Sequence, residues 1–326
     1  MAETLTLAKA LNSGLRRSLE DDAHVLLMGE DIGRLGGVFR VTDGLQKDFG
    51  ESRVVDTPLA ESSIIGTAIG LAMRGYRPVA EIQFDGFVYV AFDQIVSQLA
   101  KMHARSSGQV KLPVTVRIPF GGGIGAVEHH SESPEAYFAH TAGLRVITPS
   151  NPVDAYHLVQ QAIACDDPVI FLEPKRRYWD KAEVDLAGSP PLPMSAARVA
   201  KPGRDVTLVT YGPLVRTCLE AAAAAEADGV DIEVVDLRSL SPIDVDTVVT
   251  SVRRTGRCVV AHEASTFLGI SAEVSAAVTE ECFYELESPV LRVGGFHTPY
   301  PPSRLEGHYL PDLDRILDAV DRAMAY

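Results

Sequence analysis

The feature that most constrains the fold is a strand, a tight turn and a helix within the segment 54–72. A short β-branched strand ends at Val55, and the turn 56–61 leads into an apolar run. Pro58 presets the backbone of the turn, and Glu61 falls in the first turn of the predicted helix. Because open α/β sheets bind ligands at the carboxyl ends of strands, the carboxylates of Asp56 and Glu61 indicate a candidate site. A capped helix start with an acidic first turn is the alternative interpretation.

Length and composition narrow the class of protein. A chain of 326 residues predicts about two domains, and 46% hydrophobic residues suffice for packed cores. The net charge of −14 argues against nucleic acid or an anionic membrane as the main partner. The four cysteines stand far apart and form no CxxC pair, so neither a zinc site nor a disulfide framework is indicated. With no secretory signal and no apolar run of about 20 residues, we expect a cytoplasmic protein.

Strand and helix patterns alternate along both halves of the chain, which predicts an α/β fold. In the first half, strands are predicted at 25–29, 78–84, 113–118, 144–148 and 169–172, and helices at 6–18, 62–72, 92–104 and 152–164. The segment 176–204 is proline-rich, has little periodicity and is predicted to be a linker. In the second half, strands are predicted at 206–210, 232–235, 258–262 and 289–293, and helices at 215–227, 245–253, 272–281 and 312–324.

The helix that follows Glu61 is apolar nearly all round, so we expect it to be covered on all sides. Gly66 and Gly70 lie on one face of this helix and would let another helix approach closely. The sequence therefore predicts an obligate oligomer that forms through the helix 62–72. Packing of the two glycines inside one subunit is the alternative.

Four aromatic residues follow the next predicted strand and stand beside the polar Gln83. They are Phe84, Phe87, Tyr89 and Phe92. Ordinary core packing would explain them, but this composition also suits a flat heteroaromatic ligand.

Two glycine-rich loops follow strand ends. The loop 33–37 lacks the GxGxxG and GxxxxGK patterns, and a mobile surface loop is the simpler interpretation. The loop 121–125 leads into His129 and His130, whose spacing does not match a zinc site. Functional residues concentrate on loops at strand ends, so these histidines are candidates nonetheless.

Several stretches now stand together in a fixed order: Asp56-Thr57-Pro58-Leu59-Ala60-Glu61, Ala80-Glu81-Ile82-Gln83-Phe84, Phe92-Asp93-Gln94, His130-Ser131-Glu132-Ser133-Pro134-Glu135, Leu172-Glu173-Pro174-Lys175 and His262-Glu263. The chain resembles the β subunit of thiamine-diphosphate-dependent 2-oxoacid dehydrogenases over nearly its whole length, and most of all the branched-chain type. The resemblance implies two doubly wound domains. These are a pyrimidine-binding domain at 1–175 and, after the linker, a transketolase C-terminal-type domain at 205–326.

In that family the cofactor lies between an α and a β subunit, in a heterotetramer of two α and two β. The α subunit supplies a GDG motif and a distant NN for the diphosphate and Mg²⁺. No GDG occurs in this chain, which would therefore hold half of the site, contribute no metal ligand and act only with an α subunit. The family's further partner is a lipoyl-bearing acyltransferase core.

The resemblance assigns roles to five positions. Glu61 matches the carboxylic acid that shares a proton with the cofactor's pyrimidine ring, which makes the cofactor's own amino group basic. Leu59, Gln83 and Phe87 match positions that line the aminopyrimidine, although Phe87 replaces a common tyrosine. His130 matches a histidine that serves proton transfer and the approach of the lipoyl group.

Two further positions depart from the family pattern. Cys165, followed by Asp166 and Asp167, stands where relatives often hold potassium with an aspartate, which argues against an ion there. His297 stands where an aspartate is usual, and its role is open.

The implied activity is oxidative decarboxylation of branched-chain 2-oxo acids with reductive acylation of a lipoyl group. Pyruvate and acetoin dehydrogenase β subunits are close alternatives, because substrate contacts come largely from the α subunit. A non-catalytic assembly subunit is an alternative of another class, against which Glu61 and His130 argue. A generic nucleotide-binding α/β protein would need a phosphate fingerprint that the chain lacks.

Overall fold

The computed structural model describes residues 2–326, and the chain divides into two compact units. The N-terminal unit extends to Phe120 and includes Tyr137–Met194. The C-terminal unit contains Gly121–Ala136 and Ser195–Tyr326. The glycine-rich segment that carries His130 therefore belongs to the C-terminal unit, although it precedes residue 175 in the sequence.

Strands and helices alternate along the first 194 residues. The strands are β1 (Ala2–Thr6), β2 (Val25–Gly29), β3 (Val54–Asp56), β4 (Arg77–Glu81), β5 (Thr115–Phe120), β6 (Arg145–Ile147), β7 (Val169–Pro174) and β8 (Lys181–Asp185). The α-helices are α1 (Leu7–Asp21), α2 (Leu45–Phe49), α3 (Glu61–Met73), α4 (Met102–Arg105), α5 (Glu135–Ala139) and α6 (Pro152–Ala164).

Six strands of the N-terminal unit pair in parallel, in the order β6-β7-β5-β4-β2-β3. β2, β5 and β7 are buried at every position, as expected for central parallel strands covered on both faces. One face of the sheet packs against α1 and α6 in a single hydrophobic core. The crossover order and the covering helices confirm the predicted α/β fold.

The N-terminal end of α1 is determined by a capping residue in the sequence. Thr6 caps the helix, because its side-chain oxygen accepts a hydrogen bond of 3.2 Å from the backbone N–H of Lys9. Leu7, Leu11 and Leu15, spaced four residues apart, are fully buried against the sheet. The predicted amphipathic helix is confirmed and extends three residues further, to Asp21.

The C-terminal unit repeats the alternation with shorter connections. Its strands are β9 (Arg198–Lys201), β10 (Val206–Thr210), β11 (Ile232–Asp236), β12 (Ser239–Ser241), β13 (Cys258–Ser265) and β14 (Leu291–Gly295). Its helices are α7 (Val215–Ala227), α8 (Val245–Thr255), α9 (Ile270–Glu281), α10 (Glu306–Tyr309) and α11 (Leu313–Met324). The sheet order is β14-β13-β10-β11-β9, in which only β9 is antiparallel to its neighbour.

Two local predictions differ from the structure. The predicted helix 92–104 is divided into a π-helical segment, Gln94–Leu99, and the short α4, because the N–H of Ala100 bonds the carbonyl of Ile95. The segment 176–204, predicted as a linker, contains β8 and β9. β8 pairs with β1 in an antiparallel ladder, a long-range contact that local sequence patterns do not reveal.

Candidate functional site

Three neighbouring parallel strands of the N-terminal unit end side by side. Gly29, at the end of β2, is in register with Asp56 of β3 on one side and with Glu81 of β4 on the other. The residues that follow these strands therefore lie along one edge of the sheet. This is the edge at which open α/β sheets bind ligands, so the register brings the segments that carry Glu61 and Gln83 to a candidate site.

Glu61 begins α3 and is almost fully buried, with 7% of its surface exposed. No side chain caps the helix at Ala60, and the carboxylate of Glu61 lies in the first turn, where the helix dipole favours negative charge. Glu30, directly after β2, is close enough to be affected by it. Burial, and then the negative charges of Asp31 and Glu61, raise the pKa of the Glu30 carboxyl. Three acidic side chains thus interact here, which a plain helix start does not require.

Gln83 lies between these acids and an aromatic pair. Its side-chain amide is 3.4 Å both from the backbone oxygen of Glu30 and from the carboxylate of Asp31. The rings of Phe84 and Phe87 are half-buried and meet edge to face, with centroids 6.0 Å apart. The segment that follows β4 therefore places an amide and two aromatic rings beside acidic groups, where they could contact a ligand.

Leu59 belongs to the turn before α3 and is 67% exposed within this chain. A large apolar side chain that projects from a site rim is positioned to contact a ligand or another chain.

A cluster of buried charged side chains lies at the ends of β4, β5 and β7. It consists of Glu81, Asp85, Arg117, Glu173 and Lys175. Arg117 bonds Glu81 at 2.6 Å and Glu173 at 2.6 and 3.0 Å, and Lys175 pairs with Asp85. Burial raises the pKa of Glu81, although the charge of Arg117 opposes this effect. The Lys175 ammonium also lies 5.6 Å from the centre of the Phe84 ring. The cluster thus holds both β4 and the aromatic pair in place.

Asp56 holds the loop that follows β2. Its carboxylate accepts a hydrogen bond of 2.6 Å from the backbone N–H of Gly33, and Thr42 donates to the carbonyl of Ile32 at 2.6 Å. A Cβ at Gly33 would collide with the side-chain ends of Asp56 and Gln46, so a larger residue would displace these contacts. The loop predicted to be mobile is therefore bound at several points.

One face of α3 is open within this chain, so cover on all sides would need a second subunit and stays a prediction. Apart from the neighbouring residues and the backbone of α3 itself, no atom lies within 4 Å of the position that a Cβ would take at Gly70, and Gly66 meets only Gln94, at 3.7 Å. A cavity of about 510 Å³ lies beside the helix, and among the residues that line it are Met28, Val55, Thr57, Ser63, Thr67 and Leu71. Gly70 is therefore free to receive a partner at this face, whereas Gly66 contacts Gln94 at an ordinary distance, and both the subunit contact and packing within one subunit stay predictions.

Cationic side chains hold the turn after α6, where the sequence departs from the potassium pattern. Arg77 donates to the backbone oxygens of Ile163 and Cys165, both at 3.1 Å, and to Asp166 at 2.8 Å. Lys111 bonds Asp166 at 2.7 Å, and the hydrogen bonds from Lys111 and Arg77 lower the pKa of this carboxyl.

His130 lies in the C-terminal unit, in a 3₁₀ turn at Glu128–His130 after the glycine-rich loop. It is half-buried, and its Nδ1 is 2.9 Å from the backbone oxygen of His129. The two imidazole rings meet with centroids 4.4 Å apart. Leu59, Glu61, Gln83 and Phe87 belong to the N-terminal unit, so the predicted site residues divide between the two units.

Sequence reasoning assigned no role to Glu30, Glu263 or Glu306. Glu30 had a usable signal, because it directly follows a buried strand. Glu263 is buried and accepts from the N–H of Gly122, while Glu306 accepts from Gly123 and Gly125. These contacts join segments more than 140 positions apart and have no local signature. His297, whose role was left open, packs its ring against Phe267 with centroids 4.4 Å apart.

Within residues 2–326, no helix is long and apolar enough to cross a membrane. No group of three or more His, Cys, Asp or Glu side chains in the same range is arranged to hold a metal ion.

Comparisons with known proteins match both units. The family described as "Transketolase, pyrimidine binding domain" matches residues 3–180, and "Transketolase, C-terminal domain" matches residues 195–316. The chain is 61% identical over 324 residues to a "Pyruvate dehydrogenase E1 component subunit beta" of Leifsonia xyli, covering 99% of this chain and 96% of the relative. It is 56% identical over 325 residues to a "3-methyl-2-oxobutanoate dehydrogenase subunit beta" of Mycobacterium tuberculosis, covering 99% and 93%.

Among solved structures, a "Split gene transketolase, inactive beta4 tetramer" matches with a TM-score of 0.80 and 25% identity, over 98% of each chain. The predicted fold is therefore confirmed over both units. With matches to both family descriptions and to relatives along almost its full length, the chain belongs to the β-subunit family of the thiamine-diphosphate-dependent 2-oxoacid dehydrogenases.

Proposed function

We propose that this chain is the β subunit of a branched-chain 2-oxoacid dehydrogenase, active only with an α subunit. The complex would decarboxylate a 2-oxo acid oxidatively and pass the acyl group to a lipoyl group on a partner acyltransferase. The observation that carries the proposal is the buried Glu61 in the first turn of α3, at the strand edge that also presents Glu30 and Gln83. The relatives named as 3-methyl-2-oxobutanoate and 2-oxoisovalerate dehydrogenase β subunits support the branched-chain assignment.

The residues at this edge fit the pyrimidine end of thiamine diphosphate. Glu61 offers a carboxyl group to a ring nitrogen, and Gln83 offers an amide to polar ring substituents. Phe87 and Leu59 would border the ring, and the phenyl group of Phe87 contributes apolar contact without a hydroxyl. When bound, the cofactor supplies the electron sink that decarboxylation of a 2-oxo acid requires. The role of Glu61 is to hold and share a proton at the ring nitrogen.

We propose that the metal requirement lies outside this chain. Mg²⁺ and the diphosphate would be held mainly by the α subunit. A structural potassium ion at the turn after α6 is not part of the proposal. The guanidinium of Arg77 bonds the backbone oxygens of Ile163 and Cys165, and Lys111 shares Asp166 with it, so side-chain cations serve this turn.

His130 is proposed to transfer a proton during acylation of the lipoyl group. Its half-buried position on a loop leaves part of the ring accessible, as this role requires. His130→Ala should slow lipoyl acylation by roughly 10²-fold or more, the usual scale for a positioned acid–base group. Near-normal acylation by this variant would remove His130 from the mechanism.

The proposed assembly is a heterotetramer of two α and two β subunits in the cytoplasm, bound to an acyltransferase core. The open glycine face of α3 and the adjacent cavity support a subunit contact at this helix. The tetrameric state named for the matching transketolase structure also supports assembly of this fold.

A pyruvate dehydrogenase β subunit is the second candidate, because the relative at 61% identity carries that name. The test is decarboxylation of a panel of 2-oxo acids by the purified two-chain enzyme, with 3-methyl-2-oxobutanoate and pyruvate compared. Cleavage of acetoin, which has no carboxyl group to lose, is measured separately. We expect the highest kcat/KM with the branched substrate. A preference for pyruvate would select the second candidate, and no turnover of any substrate by an enzyme that binds thiamine diphosphate would favour an assembly subunit.

A further inference from the structure

The carboxylate of Glu306 binds the glycine-rich loop at two points. One oxygen accepts from the backbone N–H of Gly123 at 2.8 Å, and the other accepts from that of Gly125 at 3.1 Å. Tyr300, which is buried, donates its hydroxyl to the same carboxylate at 2.7 Å. Both residues come from the proline-rich tail of the C-terminal unit, about 180 positions along the chain from the loop.

The backbone of the loop is shaped for such an anion. Gly121, Gly123 and Gly125 have φ angles of +81°, +85° and +71°, a region that other residues rarely adopt. Amides in alternating left-handed conformations form concave sites for negative charge. Here the concave site holds the carboxylate of Glu306, and the N–H of Gly122 points to a second carboxylate, Glu263.

Gly122 shows how closely the tail approaches the loop. A Cβ at this position would overlap the hydroxyl group of Tyr300, so no larger residue fits without displacing the tail. The glycine-rich loop and the tail therefore pack closely against each other.

The same loop carries His130 on its return arm. The N–H of Gly121 bonds the carbonyl of Glu132 at 2.8 Å, which closes the segment 121–132 on itself. Within it, His130 bonds Val127 at 3.0 Å and Ser131 bonds Glu128 at 2.9 Å, through backbone groups. A displacement of the glycine arm therefore moves the turn that bears the imidazole.

We propose that Glu306 is a positioning residue for His130, and that it acts by fixing the glycine arm of this loop. The proposal rests on the role of His130 in lipoyl acylation proposed above. Glu306 bonds backbone amides and Tyr300, and it contributes through the geometry of the loop. Loss of one acceptor oxygen should release Gly123 or Gly125 and shift His130 from its productive position, a kind of displacement to which rates are sensitive.

The test uses Glu306→Gln in the assembled αβ enzyme, with Glu280→Gln as the matched control. Glu280 is exposed on α9, so the control makes the same chemical change away from the loop. Two rates are compared, acylation of an isolated lipoyl domain and decarboxylation coupled to a one-electron dye that needs no lipoyl group. We expect Glu306→Gln to lower the lipoyl rate roughly tenfold and the dye-coupled rate by no more than roughly twofold. The control should change neither rate.

Amide hydrogen exchange in the same enzymes separates this proposal from the assignment of His130. Residues 123–132 should exchange roughly tenfold faster in Glu306→Gln, with the remaining amides unchanged. Unchanged exchange in the loop, or an equal fall of both rates with a lower unfolding temperature, would overturn the positioning role. If His130→Ala acylates normally while the loop of Glu306→Gln exchanges faster, the function of His130 is wrong. The positioning role for the reaction then fails with it, although Glu306 still orders the loop.

Discussion

Two sets of carboxylates, one in each unit, are held by different partners. In the charge cluster of the N-terminal unit, the carboxylates of Glu81, Asp85 and Glu173 pair with Arg117 and Lys175. In the C-terminal unit, the carboxylates of Glu263 and Glu306 accept from glycine amides, and Tyr300 also bonds Glu306. Charge pairs hold strand ends next to the candidate site, whereas amide contacts set the backbone course of a loop.

The largest expected effect comes from leaving a buried charge without its partner. Arg117→Met leaves Glu81 and Glu173 buried without their shared cation and should destabilise the enzyme by about 3–5 kcal/mol. Glu263→Gln keeps an oxygen that can accept from Gly122 and should cost only about 1 kcal/mol. Chemical unfolding of the purified enzyme measures both changes.

Arg145→Met is the control for the loss of an arginine. Arg145 forms an ion pair with Asp167 that is partly exposed, so the loss should stay below about 1 kcal/mol. Equal losses for Arg117→Met and Glu263→Gln would contradict the distinction between the two sets of carboxylates.

The pH dependence of stability should have opposite signs in the two regions. Burial lowers the pKa of His262, which accepts a hydrogen bond from the N–H of Ser271, from 6.5 to about 4. The unfolded chain then binds more protons between these values, so the C-terminal unit loses on the order of 3 kcal/mol as the pH falls across this window. Glu81 has a raised pKa in the folded state, so its contribution instead favours folding as the pH falls.

Unfolding measured at several pH values tests this contrast. His262→Gln should flatten the loss between pH 6.5 and about 4, whatever its effect on stability at neutral pH. The same slope in the variant and in the wild type would show that His262 does not cause the loss.

A substitution at Gly70 has the smallest expected effect on the chain itself, and Gly122 provides the contrast. Gly122 has no room for a Cβ because of Tyr300, whereas Gly70 faces open space. Gly122→Ala should therefore disturb the C-terminal unit. Gly70→Leu should leave the N-terminal unit intact and improve the helix by less than about 1 kcal/mol. The same leucine should push the subunits apart and weaken cofactor binding, because Glu61 begins this helix.

Size-exclusion chromatography and thiamine diphosphate titration of the Gly70→Leu enzyme measure these consequences. Unchanged assembly with unchanged cofactor affinity would show that the open face of α3 is not a subunit contact.

The sequence predicted the regular elements well where local patterns determine them. The helices α6 and α7 and the strands β2 and β10 have the predicted limits. At the start of α6 the cause is visible, because Asn151 caps the helix and Pro152 stands at its first position. The ladder between β1 and β8 was missed, since it depends on residues about 180 positions apart.

The candidate site was predictable only in part. Glu61 and Gln83 follow strands whose order along the chain is visible, and the register then brings these segments to one edge. The interaction of Glu30 with Asp31 and Glu61 depends on how closely these three acids pack in the folded chain. The hydrogen bond between Glu306 and the glycine-rich loop depends on the path of the tail. Glu30 still had a local signal, because it directly follows a buried strand, whereas the contacts of Glu306 have none.

Proton exchange at the cofactor, timed by NMR in the assembled enzyme, tests the central claim most directly. The comparison is between wild type, Glu61→Gln and the exposed Glu51→Gln as control. If Glu61 shares a proton with the pyrimidine ring, Glu61→Gln abolishes exchange while the fold and the control are unaffected. Exchange within a few-fold of the wild-type rate in a folded Glu61→Gln enzyme would contradict the account.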